Sequence, residues 1–336
     1  MIFIAPAVGA ALHLSLPGIM LLLAAGLTVS LSGYLGFCLR VRPELKREVA
    51  VDRAILRPLL SFGGWITVSA LVVPVLVYTD RILLSGLVSV AALAYYTVPY
   101  EIVFRLQIFP ASFGTALFPT FTAVTTTRRE ELDSLYARSI KYLLLVMAPV
   151  TLLVVLFAHS VLQVWISPDF ASHSTVVFQI LAFGMLLNAV SQIPSQLLDS
   201  YGRPDLRAKV FLAYMPGYVL LAWLLISHFG LVGAAIGWTV RSGVELAIFF
   251  VAAWLLLKLK LAVFTYHRVT RAVAVIAVCT AAVCVVLQMG APWAIPSLGL
   301  FTLLALGTGL WLYALDGRER SQLGAVVHLH PGKVAP

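Results

Sequence analysis

A chain of 336 residues that is 61% hydrophobic and only 11% charged is not an ordinary soluble protein, in which about a quarter of residues carry charge. Its mean hydropathy of +0.99 exceeds what a soluble core of this size can bury, which identifies a polytopic membrane protein. The net charge of +9 informs mainly through its placement along the chain.

Residues 2–12 are apolar but short. They read as a first membrane element rather than a cleaved signal, because no small-residue cleavage site follows. Nine segments then approach the ~20 apolar residues that a spanning helix needs. They are 16–39, 59–80, 91–122, 140–158, 174–198, 208–228, 231–257, 269–289 and 297–315. At ~1.5 Å per residue, segment 91–122 would extend about 48 Å against ~30 Å of hydrocarbon. It must tilt, kink at its prolines or emerge from the membrane.

Basic residues alternate between the connections. Arg40, Arg42, Lys46, Arg47, Arg53 and Arg57 fill 40–57, and Arg128, Arg129 and Arg138 fill 123–139. Arg203, Arg207 and Lys209 follow the fifth segment, and four more Lys or Arg residues lie in 258–271. The intervening connections hold only Arg81, at the end of 59–80. By the positive-inside rule the basic loops and the C-terminus are expected in the cytoplasm, in an inner (cytoplasmic) membrane. The polar, mixed-charge stretch 40–57 reads as a cytoplasmic linker or as an amphipathic surface helix joining two bundles.

Enzyme motifs are absent: there is no phosphate-binding Gly loop, H-E-x-x-H or G-x-S-x-G, and the extramembrane loops are short. Cys38, Cys279 and Cys284 lie in apolar runs without metal-ligand spacing and read as small buried hydrophobes. His328 and His330 in the tail suggest no built metal site. The sequence therefore predicts no cofactor, no metal and no nucleic-acid partner.

The informative residues are polar groups inside the spans. In "YYTVPYEIVFRLQIFP", Glu101 and Arg105 stand four apart between Pro99 and Pro110, with Thr97, Ser112 and Thr115 close to the same face. Arg241 and Glu245 repeat the spacing in reverse order, and Asp80 precedes Arg81. Asn188, Gln192, Ser195 and Asp199 form a polar stripe at helical spacing, with Pro194 inside it. Two readings stand for each. The pairs are self-neutralised staples, Asp80/Arg81 a helix cap and the stripe interhelical hydrogen bonding, or all of them line a wet cavity. On the cavity reading Arg105, Arg241, Glu101, Glu245, Asn188 and Gln192 are substrate-binding candidates. Asp80, Glu101 and Glu245 are then the ion-coupling candidates. Prolines in most spans suit a bundle that opens alternately to each side.

Three stretches carry a resemblance. "LLSFGGWITVSALVVPVLVYTDRILLSGLVSVAALAYYTVPYEI" has an F-G entry, a D-R-x-L-L-x-G exit and A-x-Y-x-x-x-Y. "VLQVWISPDFASHSTVVFQILAFGMLLNAVSQIPSQLLDSYGRPDLRAKV" has an external tryptophan loop and a G-R-P-D turn, and "HFGLVGAAIGWTV" has a G-x-x-G-A-A entry. In register over residues 59 to 257, they resemble the polysaccharide flippases of the multidrug/oligosaccharidyl-lipid/polysaccharide exporter superfamily.

The resemblance implies an all-α, MATE-like helical bundle of about ten transmembrane helices, with a partial first lobe and a complete second lobe related as parallel repeats. Residues 1–39 would be the last two helices of the N-terminal lobe, 40–57 the linker and 58–257 the six-helix C-terminal lobe. Residues 258–316 would be two additional helices, and 317–336 a disordered cytoplasmic tail. About four helices of the first lobe are expected to be missing. The implied activity is flipping a polyprenyl-pyrophosphate-linked oligosaccharide for O-antigen, capsule or exopolysaccharide assembly. Its partners would be membrane lipids and a polysaccharide polymerase or glycosyltransferase complex. The alternatives are a drug/cation antiporter or lipid II flippase of the same fold, or a non-transporting scaffold subunit. A cationic cavity would suit the pyrophosphate, with Arg105 and Arg241 as its candidates. Neither arginine is matched to a fixed family motif position, so both remain inferences from the residues.

Overall fold

The structure, a computed structural model, describes residues 15–43, 53–127, 129–260, 262–288 and 295–315. Segment 2–12, half of the predicted linker (44–52) and the tail with His328 and His330 lie outside the described residues. Contacts divide the chain into two units, Met1–Ser61 and Phe62–Pro336.

In the first unit, α1 spans Leu16–Val41. Its polar residues suit an apolar helix because they turn back on it. Thr28, Ser30 and Ser32 each donate to the carbonyl four residues earlier at 2.9 Å. Cys38 is exposed, not buried as expected, whereas Cys279 of the second unit is buried.

α2 (Arg53–Leu87) runs into the second unit. It continues seven residues past Asp80, so Asp80 and Arg81 lie inside a helix and do not cap one. The long segment 91–122 is broken into α3 (Val90–Phe104) and α4 (Ile108–Thr127) by a 3-10 turn over Arg105–Gln107. Pro110 explains the position of the break. Its ring cannot donate to the carbonyl of Leu106 and crowds it, so the preceding turn tightens.

α5 (Arg129–Trp165) and α6 (Pro168–Ser200) follow. The start of α6 is dictated locally. The Ser167 side chain accepts from the Phe170 amide at 3.1 Å, Pro168 fills the first turn and Asp169 adds a negative charge to it. α6 is the central helix and packs on α3, α4, α5 and α7.

α7 (Pro204–Leu257) has 54 residues and comprises two arms. Gly230, with φ 55° and ψ −126°, breaks it between the two predicted spans, in a conformation that only glycine adopts without strain. A short helix α8 (Ala262–Tyr266), α9 (Val269–Gln288) and α10 (Ile295–Gly309) complete the chain, with a π turn over Leu310–Ala314. α9 and α10 pack on α5 and on each other.

Among the described residues, six helices are long and apolar enough to cross a membrane, and α7 counts once among them. Its two arms, with the shorter apolar helices α9 and α10, put a helix on every one of the nine predicted spans. Interhelical bonds from polar side chains hold the bundle: Gln179 Nε2 donates to Val155 O at 3.0 Å and Thr239 Oγ1 to Ile180 O at 3.1 Å.

The approach of α6 to the second arm of α7 requires a residue without a Cβ. A Cβ on Gly184 would stand 2.5 Å from Thr239 Oγ1 and 2.7 Å from the Trp238 ring. Gly184→Leu is expected to destabilise the fold by about 1–3 kcal/mol, read as a lower thermal midpoint in detergent.

Candidate functional site

Within the second unit, α2, α3, α6 and both arms of α7 enclose a cavity of about 480 Å³. Each contributes a helical face. α6 presents Asn188, Gln192 and Ser195 at offsets 0, 4 and 7. The first arm of α7 presents Arg207, Phe211 and Tyr214 at the same offsets. The second arm presents Trp238, Arg241 and Glu245. Tyr100 and Phe104 of α3, with Gln107 of the 3-10 turn, close another side, and α2 supplies an apolar wall including Pro74.

Arg241 is a buried charge in the lining. It is 8% exposed, lies over the Tyr218 ring at 5.3 Å and the Trp238 ring at 5.9 Å, and its Nε makes no hydrogen bond. Ring faces stabilise a guanidinium where water is excluded. Glu245, 6% exposed, sits one turn further along the same arm, near enough for the two charges to act on each other.

Behind the cavity lies Asp80, fully buried. Tyr96 Oη donates to one carboxylate oxygen at 3.0 Å, and Tyr218 Oη donates to the other. Arg241 acts on it electrostatically through this cluster. A buried carboxylate held by two neutral hydroxyls joins α2, α3 and α7 at one point.

At the end of the cavity near the basic 201–203 turn, Arg207 binds Asp199 Oδ2 at 2.6 Å and Ser195 Oγ at 2.8 Å. On the same side, Lys209 lies over the Trp65 ring at 5.1 Å, which links the first arm of α7 to α2. Four lining residues carry buried polar atoms without hydrogen-bond partners: Gln107 Oε1, Tyr214 Oη, Trp238 Nε1 and Arg241 Nε. Such atoms are costly unless water or a ligand meets them.

The sequence-predicted residues divide. Arg241, Glu245, Asn188 and Gln192 converge on the cavity. Glu101 and Arg105 do not line it; both are exposed. Their expected pairing gives way to another, because Arg81 Nη2 binds Glu101 Oε1 at 2.6 Å, twenty residues back and on a different helix. The Arg81 guanidinium also lies over Tyr100 at 4.9 Å and Tyr78 at 5.2 Å. Glu101/Arg105 is therefore not the staple, and the two arginines singled out from the sequence do not meet in one cavity. Sequence reasoning missed Arg207, which it left in a loop because the apolar run starts after it. It also missed Gln107 and the aromatic lining. The spacing Arg207, Phe211, Tyr214 was the available sign of a continuing face.

Two family models match this chain: one described as "Polysaccharide biosynthesis protein" over residues 1–125, and MatE over residues 66–224. A Shigella flexneri protein named "Putative O-antigen transporter" is 31% identical over 183 residues, covering 54% of this chain and 43% of the relative. The "Uncharacterized membrane protein MJ1068" of Methanocaldococcus jannaschii is 27% identical over 223 residues, covering 66% of this chain and 44% of the relative. The match thus spans less than half the length of each of these relatives. These matches and the all-helical polytopic fold make the chain similar to members of the multidrug/oligosaccharidyl-lipid/polysaccharide exporter superfamily, on its polysaccharide side.

The Arg81 contacts make a direct comparison possible. Arg81→Gln, which breaks an ion pair and two ring contacts, is expected to cost about 1–2 kcal/mol of stability. Arg105→Gln should leave the thermal midpoint nearly unchanged.

Proposed function

We propose that this chain is part of a transporter that moves a polyprenyl-pyrophosphate-linked oligosaccharide across the cytoplasmic membrane, with the cavity of the second unit holding the anionic headgroup. The observation that carries the reading is Arg241, a buried guanidinium facing the cavity with an unused N–H donor. Charge-assisted hydrogen bonds from Arg to phosphate oxygens are strong and geometrically selective. The similarity to a protein named as an O-antigen transporter supports the same cargo. On this reading residues 58–257 form one complete six-helix lobe and the basic connections face the cytoplasm.

Arg241 does not stand alone. Glu245 and Asp80 from different helices both act on it, and Tyr96, Tyr214 and Tyr218 surround the three. An incoming anion competes with the two carboxylates, so protonation of one of them favours its entry. At fixed pH, Asp80→Asn is expected to tighten binding of a prenyl pyrophosphate, because one competing carboxylate is gone. Unchanged affinity in the variant would remove Asp80 from that competition.

A second reading, a drug/cation antiporter, is favoured by one feature. Asp80 is a buried carboxylate whose hydrogen bonds come from neutral tyrosines. Cation export would depend on Asp80 and tolerate loss of Arg241. Flipping of a lipid-linked oligosaccharide in proteoliposomes separates the two. Arg241→Ala should lower the rate at least tenfold, about 1.4 kcal/mol or more of lost binding, and Arg241→Lys should restore part of it. Full activity in Arg241→Ala would remove the headgroup role.

A further inference from the structure

The connection between α7 and α9 carries charges that the proposed transport does not use. Its described residues, 258–260 and 262–268, form a fixed corner of the second unit. Lys258 and Arg268 are the non-glycine residues with positive φ among those described, at 48° and 58°. A left-handed backbone is costly for a residue with a side chain, so packing has to hold each end. That packing lies on the inner side. Leu259 and His267 are buried, and Phe264 meets the Tyr136 ring edge-on at 5.7 Å and the Phe250 ring at 5.5 Å. The Lys260 amide donates to Asp133 Oδ1 at 3.3 Å, and Ser134 Oγ shares a hydrogen bond with His267 Nε2 at 2.9 Å. Arg268 Nη1 donates to Leu315 O at 2.9 Å. The corner is thereby fastened to α5 and to the residue that follows the π turn.

The outer side is built differently. Lys258, Lys260 and Arg271 are exposed, and their side chains make no ion pair or hydrogen bond among the described residues. Tyr266 is 79% exposed. The first turn of α9, the positive end of its dipole, holds no acidic residue and carries Arg271 instead. Within one turn of these cations, Leu255 and Leu256 at the end of α7 and Val273 at the start of α9 are exposed and apolar.

Unpaired cations adjoining exposed apolar side chains fit an amphiphile better than a soluble anion. The apolar residues meet acyl chains, Lys and Arg attract phosphates, and a tyrosine ring suits the headgroup layer. We propose that this corner binds the headgroups of anionic phospholipids in the leaflet on the basic side of the membrane. Lys258, Lys260 and Arg271 take the phosphates, and Tyr266 lies among the headgroups. Because its inner side is fastened, the corner anchors the ends of α7 and α9 at the membrane surface. The site requires only that the chain lie in a membrane, and it stands or falls independently of the cargo.

The test reads lipid retention by native mass spectrometry of the 336-residue chain in detergent, with phosphatidylglycerol and phosphatidylcholine of equal chain length. The first phosphatidylglycerol is expected to bind about tenfold more tightly than the first phosphatidylcholine, as added contacts to cationic side chains would give. Lys260→Gln/Arg271→Gln should cut that preference about fivefold or more. Arg40→Gln/Arg42→Gln, which removes the same charge from the end of α1, should leave it within about twofold. Lys260→Arg/Arg271→Lys keeps the charge and should keep the preference; loss there as well would trace the effect to folding and overturn the site. No preference in the wild type overturns it. Equal losses in the two Gln variants also overturn it, by reducing it to the general attraction of basic helix ends for anionic lipid. Displacement of phosphatidylglycerol by an equal concentration of glycerol phosphate would make the corner a site for a soluble anion and overturn the lipid.

Discussion

A guanidinium inside a bilayer must be solvated by the protein that carries it, and the arrangement around Arg241 follows from that requirement. Its side chain is almost closed off from its surroundings, so rings, carboxylates and hydroxyls from neighbouring helices have to come close. Tyr218 and Trp238 supply ring faces, Glu245 supplies opposite charge one turn away, and Asp80 adds a second carboxylate through the tyrosine cluster. These groups come from α2, α3 and both arms of α7, so one buried charge gathers the walls of the cavity.

The same cluster limits what the cavity can do. Both carboxylates act on one guanidinium, so the site is not a simple positive hole, and an anion entering it competes with charges already present. The Arg207–Asp199 pair is of a different kind: its two members flank the tight 201–203 turn, and Ser195 completes it. It ties α6 to α7 at the end of the cavity, whereas Arg241 keeps bonding capacity to spare.

Backbone breaks put these groups in place. Gly230 folds one 54-residue helical stretch into two arms, so that Arg207 and Arg241 can line the same space although 34 residues separate them. The 3-10 turn ahead of Pro110 places Gln107 at the cavity. Gly184 lets the second arm approach α6 closely enough for Trp238 to pack edge-on against Tyr100 at 5.6 Å.

The apolar periodicity of the chain by itself determined the fold class and the position of each span, because hydrocarbon tolerates little besides helices with satisfied backbones. It also put Arg241 with Glu245, and Asn188 with Gln192, on common helix faces, since helical spacing brings residues four apart together whatever surrounds them. Which face meets which was decided only in three dimensions. Glu101 has Arg105 four residues away, yet Arg81 holds it, because Arg81 reaches across from α2 to α3 and the helix tightens into a 3-10 turn at Arg105. Asp80, next to a basic residue in sequence, is held instead by tyrosines 16 and 138 residues distant. Sequence spacing reports neighbours along one helix. A buried charge chooses its partners from every helix packed around it, and no local pattern encodes that choice.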